Sequence, residues 1–263
     1  MTARIDPRLA AEDAQAYLPS RPSTVRLDAA DIALRHHPHF PQHRFGSATR
    51  PRFAPDAVDR RVAEVRAWFR GHGRREFTWM VGGSATPPNL VDRLLELGAR
   101  MDPDDPDGDA MVLDHEPPPA PEGVTIRRIA TFDEYVASMR LVMEDATAEQ
   151  WAQMEAGLPA AWEEARVDDR MYGFLALVDG EPIAFAQMVW LTNGFAYLGG
   201  AHTKTTARGH GAFRALVRAR WDDAVRHDSR VLLVQAGRMS SPILARLGFE
   251  RVGRVQTLID RSD

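Results

Sequence analysis

Apolar positions between residues 211 and 227 recur with the period of a helix: Phe213, Leu216, Val217, Trp221, Ala224 and Val225 share one face. Downstream, Val231 to Val234 is an uninterrupted apolar run, short enough for a buried strand. Ser241-Pro242 has the form of a helix start, with serine to cap free amides and proline suited to the first helical position. The short helix runs over 243–247 and ends at Gly248, and residues 252–259 read as a closing strand. Upstream, 124–127 reads as a strand, 132–140 and 149–166 as helices, and 174–178, 183–190 and 195–203 as strands. Asp179-Gly180 and Asn193-Gly194 are hairpin turns, since these residues tolerate positive φ. Together these elements predict an α/β (α+β) fold with a mixed, mostly antiparallel sheet flanked by helices.

A shorter version of the same order precedes it. Val58, Val62, Val65 and Phe69 mark an amphipathic helix, 77–81 a strand, Thr86-Pro87 a helix start, Gly98 a helix stop and 111–113 a strand. Helix, strand, Ser/Thr-Pro helix, Leu-Gly and strand therefore occur twice. Between the copies, Pro117, Pro118, Pro119 and Pro121 prevent a helix and favour an extended linker. The expected organisation is an irregular segment over 1–50, a partial unit over 51–115, a proline-rich linker over 116–122 and the main domain over 123–263.

Composition narrows the chemistry. The chain of 263 residues has no cysteine, which removes disulfides, thiolate catalysis and cysteine-based zinc sites. A formal net charge of -4 gives no electrostatic reason to expect a nucleic-acid partner. Residues 1–11 are charged and lack the apolar core of a signal peptide, and no stretch approaches the roughly 20 apolar residues of a membrane span. The expected location is cytoplasmic. His36, His37, His39 and His43 cluster around Pro38 without the helical spacing of a metalloprotease pair, so no metal is expected.

The chemistry-bearing segment is Ala207-Arg208-Gly209-His210-Gly211-Ala212-Phe213, which follows an apolar strand and opens the helix of residues 211–227. Glycines let the backbone approach a ligand, and the free amides and dipole of a helix start favour an anion. Arg208 can add a charge-assisted contact. The segment lacks the third glycine of a dinucleotide fingerprint and the Gly-Lys-Ser/Thr of a Walker loop. Upstream, Gly199 and Gly200 are poor strand formers and fit a bulge or a close ligand approach.

From residue 124 to 259, the order of elements, the Arg208-Gly209-His210-Gly211 loop and Leu247-Gly248-Phe249 resemble the GNAT superfamily of acyl-CoA-dependent N-acyltransferases. With the upstream copy included, the chain resembles tandem members such as mycothiol-synthase-like proteins, the first copy having no glycine loop. The resemblance implies acetyl-CoA as co-substrate, held by Ala201 and Thr203 on the strand and by Arg208, Gly209, His210, Gly211, Ala212 and Phe213 in the loop. Thr206 departs from the family's Gln/Arg, and Leu244 stands where many relatives carry a tyrosine acid. The stretch 195–198 lacks the carboxylate that many use as a base. His202, Tyr197, Ser240 and Ser241 remain as catalytic candidates. The acceptor, a small-molecule primary amine, is expected over Trp151, Met154 and Trp162, among acidic residues that would attract a cation. A homodimer is the expected protein partnership, with no nucleic acid and no membrane. The alternative to an enzyme is a catalytically silent acyl-CoA-binding module.

Overall fold

The computed structural model describes residues 5–38 and 42–262. Contacts divide the chain into two units, Met1–Val112 with Leu233–Asp263, and Leu113–Leu232.

The first unit opens with α1 (Pro7–Glu12), capped by Asp6, whose carboxylate accepts from the Arg8 amide at 2.9 Å. Three four-residue strands follow, β1 (Val25–Asp28), β2 (Ala33–His36) and β3 (Gly46–Thr49). The expectation of an irregular segment over 1–50 is thus corrected. Pro7 starts a helix, and Pro19, Pro22 and Pro38 fall in connections, so none interrupts a strand. α2 (Val58–Gly71) buries Val58, Val62, Val65 and Phe69, the face read from its period. β4 (Glu76–Gly82) runs parallel to β3. α3 (Leu90–Glu96) starts at Leu90 rather than at Thr86-Pro87. Pro88 disfavours the helical region for Pro87, so the helix waits until both prolines are passed. β5 (Arg100–Met101) and β6 (Asp107–Leu113) complete the N-terminal part. In its core Phe69 stacks on Phe77, with ring centroids 4.1 Å apart, and Trp79 is fully buried. Burying each such ring stabilises the fold by roughly 1.5–3 kcal/mol.

The second unit contains β7 (Thr125–Arg128), α4 (Phe132–Val142), α5 (Ala148–Glu155), α6 (Leu158–Arg166), β8 (Met171–Val178), β9 (Glu181–Trp190), β10 (Ala196–Thr203) and α7 (Ala212–Arg226). Where one helix over 149–166 is expected, there are two. Gly157 caps the second and Pro159 lies in its first turn, where a missing amide proton is tolerated. Capping boxes at Thr131 with Glu134 and Thr147 with Gln150 start α4 and α5. The strands lie in the order β10-β9-β8-β7, with each neighbouring pair antiparallel. Asp179 and Gly180 both have positive φ, at 50° and 85°, and make the two-residue turn. The second hairpin differs: only Gly194 is left-handed, and the loop closes from the Leu191 amide to the Phe195 carbonyl at 2.9 Å. Leu175 and Leu177 pack with Leu141 of α4 and with Phe185. Residues of opposite parity face α7, as Tyr172 shows by donating to Asp223. The result is a mixed α/β fold with a mostly antiparallel sheet between helices.

The chain then returns to the first unit through β11 (Leu232–Ala236), α8 (Ser241–Arg246) and β12 (Glu250–Arg261). The strand order there is β1-β2-β3-β4-β12-β6-β11, with β5 also on β12. β12 pairs antiparallel with β4 along Val255 to Arg261. Asp260 on β12 is 2% exposed, accepts from Arg66 at 2.8 Å and from the Trp79 indole at 2.9 Å, and so fixes the strand in this unit. Residues 233–263, assigned by sequence to a domain beginning at 123, therefore group with the N-terminal residues.

The repeat has a matching backbone signature. Gly98 and Gly248 have φ of 96° and 101°. After α3 the Ala99 amide bonds the Leu94 carbonyl at 3.0 Å, and after α8 the Phe249 amide bonds the Leu244 carbonyl at 3.1 Å. Both are the same left-handed helix stop.

Candidate functional site

The strand β10 changes character halfway. Ala196, Tyr197 and Leu198 are buried, whereas Gly200 and Ala201 are exposed and His202 and Thr203 half-buried. The change coincides with a bulge. Leu198 pairs with Met188 and Ala201 with Ala186, so β10 carries one extra residue at Gly199-Gly200. A Cβ on Gly199 would press on the Gln187 side chain, 2.9 Å from its Oε1 and 3.1 Å from its Cβ. Beneath the bulge Arg220 of α7 is 1% exposed, and its Nη1 donates to the Gln187 carbonyl at 3.2 Å.

After β10 a short turn leads to Arg208, Gly209 and Gly211. Gly209 and Gly211 both adopt left-handed conformations, with φ of 86° and 80°. Gly211 is the N-cap of α7 and brings no side-chain acceptor to its first amides. The earliest helical bond is from the Ala215 amide to the Gly211 carbonyl, at 3.0 Å. Arg208, Gly209 and His210 are exposed, Gly211 and Phe213 half-buried and Ala212 buried. His210 Nδ1 lies 3.2 Å from the Ala207 carbonyl. A helix start without a side-chain cap, reached through an exposed glycine loop and a neighbouring arginine, suits a polyanion.

The proline-rich segment is attached to this helix. Glu116 pairs with Arg218 at 2.6 Å, the Pro117 carbonyl accepts from Arg218 at 3.3 Å, and the Pro121 ring covers Gly211. It has no regular secondary structure over 116–121.

His202 meets Glu144, from the turn after α4, with Nε2 3.2 Å from Oε2. The Glu144 carboxylate also accepts the Thr205 amide at 2.9 Å and its hydroxyl at 3.1 Å. The Thr205 amide first, and His202 second, hold this carboxyl below its usual range. Glu144 escaped the sequence reading because 58 residues separate it from His202 and no local pattern marks the pair.

The other candidates lie elsewhere. Tyr197 is 5% exposed and packs in the core. Ser240 and Ser241 belong to the first unit. Ser240 Oγ bonds the Gly237 carbonyl at 3.2 Å, and neither serine caps α8. Ser241 instead donates to Asp109 and accepts from Arg251 at 3.0 Å, which corrects its expected capping role. On α5, Trp151 has the Arg140 guanidinium 4.5 Å above its ring, and its buried indole N–H has no partner among the described residues. Met154 is half-buried on the same helix, and Trp162 on α6 packs against Tyr135 at 5.5 Å. Glu155 and Glu163 pair with Arg140 and Arg166, which weakens the negative field expected there.

The histidines of the N-terminal region have separate tasks. His36 Nδ1 accepts from Arg74 at 2.7 Å, and His43 bonds Asp102 at 3.0 Å. His39 lies outside the described residues. Among the described residues no helix is long and apolar enough to cross a membrane.

Residues 133–249 match the model of the Acetyltransferase (GNAT) family. No curated protein matches the chain. Among solved structures, a GCN5-related N-acetyltransferase from Kribbella flavida is similar at TM-score 0.71 and 20% identity, over 98% of this chain and 96% of that one. A tandem GNAT protein from the clavulanic acid biosynthesis pathway, solved without AcCoA, is similar at TM-score 0.64 and 22% identity, over 93% of this chain and 85% of that one. A GCN5-related N-acetyltransferase from Sphaerobacter thermophilus is similar at TM-score 0.59 and 21% identity, over 90% and 82%. The chain shares the fold of these structures, and its residues 133–249, which include the bulged strand and the glycine loop, carry the match to the Acetyltransferase (GNAT) family.

Proposed function

We propose that the protein is an acyl-CoA-dependent N-acyltransferase that moves an acetyl group from acetyl-CoA to a small primary amine. One observation carries the reading. Within a single stretch, the bulge at Gly199-Gly200, the exposed end of β10 and two left-handed glycines lead into the uncapped start of α7. The amides from Gly209 to Phe213, with Arg208, would hold the pyrophosphate. The backbone of Ala201 to Thr203 would hold the pantetheine arm. A backbone amide at the bulge would polarise the thioester carbonyl. His202 would take the proton of the attacking amine, and Trp151, Met154 and Trp162 would line the acceptor's side.

In this reading the first unit is a tandem copy that has no glycine loop, so the chain binds one equivalent of acetyl-CoA. The protein works in the cytoplasm, as a homodimer. Calorimetric titration with acetyl-CoA tests the binding, and two equivalents per chain, or none, would be the contrary result. A second reading, a silent acyl-CoA-binding module, draws on Leu244. It stands where the resemblance places a tyrosine acid, and it is a core leucine, 1% exposed. Consumption of the thioester with a broad panel of amines separates the two.

A further inference from the structure

We propose that Glu144 positions His202 as the base of the transfer, by fixing which ring nitrogen carries the proton; this rests on the acyltransferase reading above. Glu144 receives the Thr205 amide on both oxygens, at 2.9 and 3.1 Å, and the Thr205 hydroxyl at 3.1 Å. These donors keep the carboxyl ionised, and an ionised carboxylate can only accept. Nε2 of His202, at 3.2 Å, must therefore carry the proton of the neutral ring. Nδ1 is left with a lone pair, and the His202 ring has no other hydrogen-bond partner among the described residues. The imidazole stands on the half of β10 between the bulge and the glycine loop. A free lone pair there is what an incoming amine needs.

The step balances without a further reagent. The amine nitrogen bonds to the acyl carbon and the carbon–sulfur bond breaks. The proton lost by the amine passes to Nδ1, and the resulting imidazolium is stabilised by Glu144. That proton then reaches the departing thiolate through solvent. Because Glu144 also grips Thr205, the same carboxylate ties the turn after α4 to the start of the loop that follows β10. Glu144 is a positioning residue, acting through His202.

The test uses the full chain with 15N-labelled histidine. In the wild type, the neutral His202 ring should be protonated at Nε2 and bare at Nδ1. Glu144→Gln keeps an oxygen for the Thr205 amide but removes the charge, so the ring should become a mixture of tautomers. With an accepted amine, kcat should fall by about 10²-fold, the lower end of general-base effects, while acetyl-CoA affinity stays within about 3-fold. A wild-type ring protonated at Nδ1 overturns the proposal, as does an unchanged kcat in Glu144→Gln. The tautomer measurement needs neither a variant nor an acceptor, so it decides the point even if Glu144→Gln does not fold. If the wild type does not bind acetyl-CoA, the acyltransferase reading falls first and this proposal with it.

Discussion

Pro121 lies directly over Gly211: a Cβ built on Gly211 would sit 2.6 Å from the Pro121 Cγ. Glycine is thus required here twice, by its left-handed backbone and by the proline ring. Gly209 shares the backbone conformation, but a Cβ on it would meet nothing within 4 Å. Comparing the two separates the causes. Gly209→Ala should destabilise by about 1–2 kcal/mol, the cost of a left-handed alanine. Gly211→Ala should cost more in urea denaturation, and the excess should shrink in a Pro121→Ala background. Gly211→Val is for the same reason a poor probe of cofactor binding, since it disturbs the fold.

Arg208 is a cleaner probe. It is exposed, and no ion pair holds it among the described residues. Arg208→Ala should leave stability within about 0.5 kcal/mol. It should weaken acetyl-CoA by about 1.5–3 kcal/mol, the range of a charged hydrogen bond. Calorimetry at two salt concentrations checks it, because the wild-type advantage should narrow at high salt.

What could be read from sequence was mostly local. Gly199-Gly200 announced the bulge, Asp179-Gly180 the turn, and Gly98 and Gly248 the helix stops, because each acts through its own backbone. The break between α5 and α6 was equally local, written in Gly157 and Pro159, but helical period alone bridged it. The strands β1, β2 and β3 were not legible, since four residues each give too few alternations to stand out. Ser241 had the form of a cap, and its hydroxyl went to Asp109, 132 residues away. Glu144 and His202 meet for the same long-range reason, so the candidate base could be named from sequence while its partner could not.

The paired helix stops make a quantitative test of the repeat. Gly98 and Gly248 have similar φ, and nothing lies within 4 Å of a Cβ built on Gly98. Gly98→Ala and Gly248→Ala should therefore each cost about 1–2 kcal/mol. Asparagine, which tolerates the left-handed region, should recover part of the loss at both. Urea midpoints of the four variants measure this. A neutral Gly98→Ala would show that the first stop is not held as the second is.

Two histidines make the first unit sensitive to acid. His36 is 4% exposed and accepts from Arg74 Nε at 2.7 Å, which requires an unprotonated Nδ1. Gly46 makes room, since a Cβ there would collide with the Arg74 side chain. Burial first, and the Arg74 charge second, pull His36 from 6.5 to about 4. Burial first, then Arg35, does the same to His37. Between these values the unfolded chain binds protons that the folded chain refuses. Their contribution to stability is therefore complete above pH 6.5 and is lost as pH falls toward 4. Asp13 acts in the opposite direction. Burial raises it to about 6, so its folded carboxyl gains protons, and adds stability, over the same descent. The total pH profile mixes both, and the difference between two proteins isolates the histidine. His36→Asn keeps an oxygen acceptor for Arg74 and does not titrate. Its urea midpoint should lie near or below that of the wild type at pH 7.5. It should lose less than the wild type by pH 4.5, with a difference on the order of 1 kcal/mol. Parallel curves for the two proteins across that range would show that His36 is protonated in the folded state, and that Arg74 does not depend on it as an acceptor.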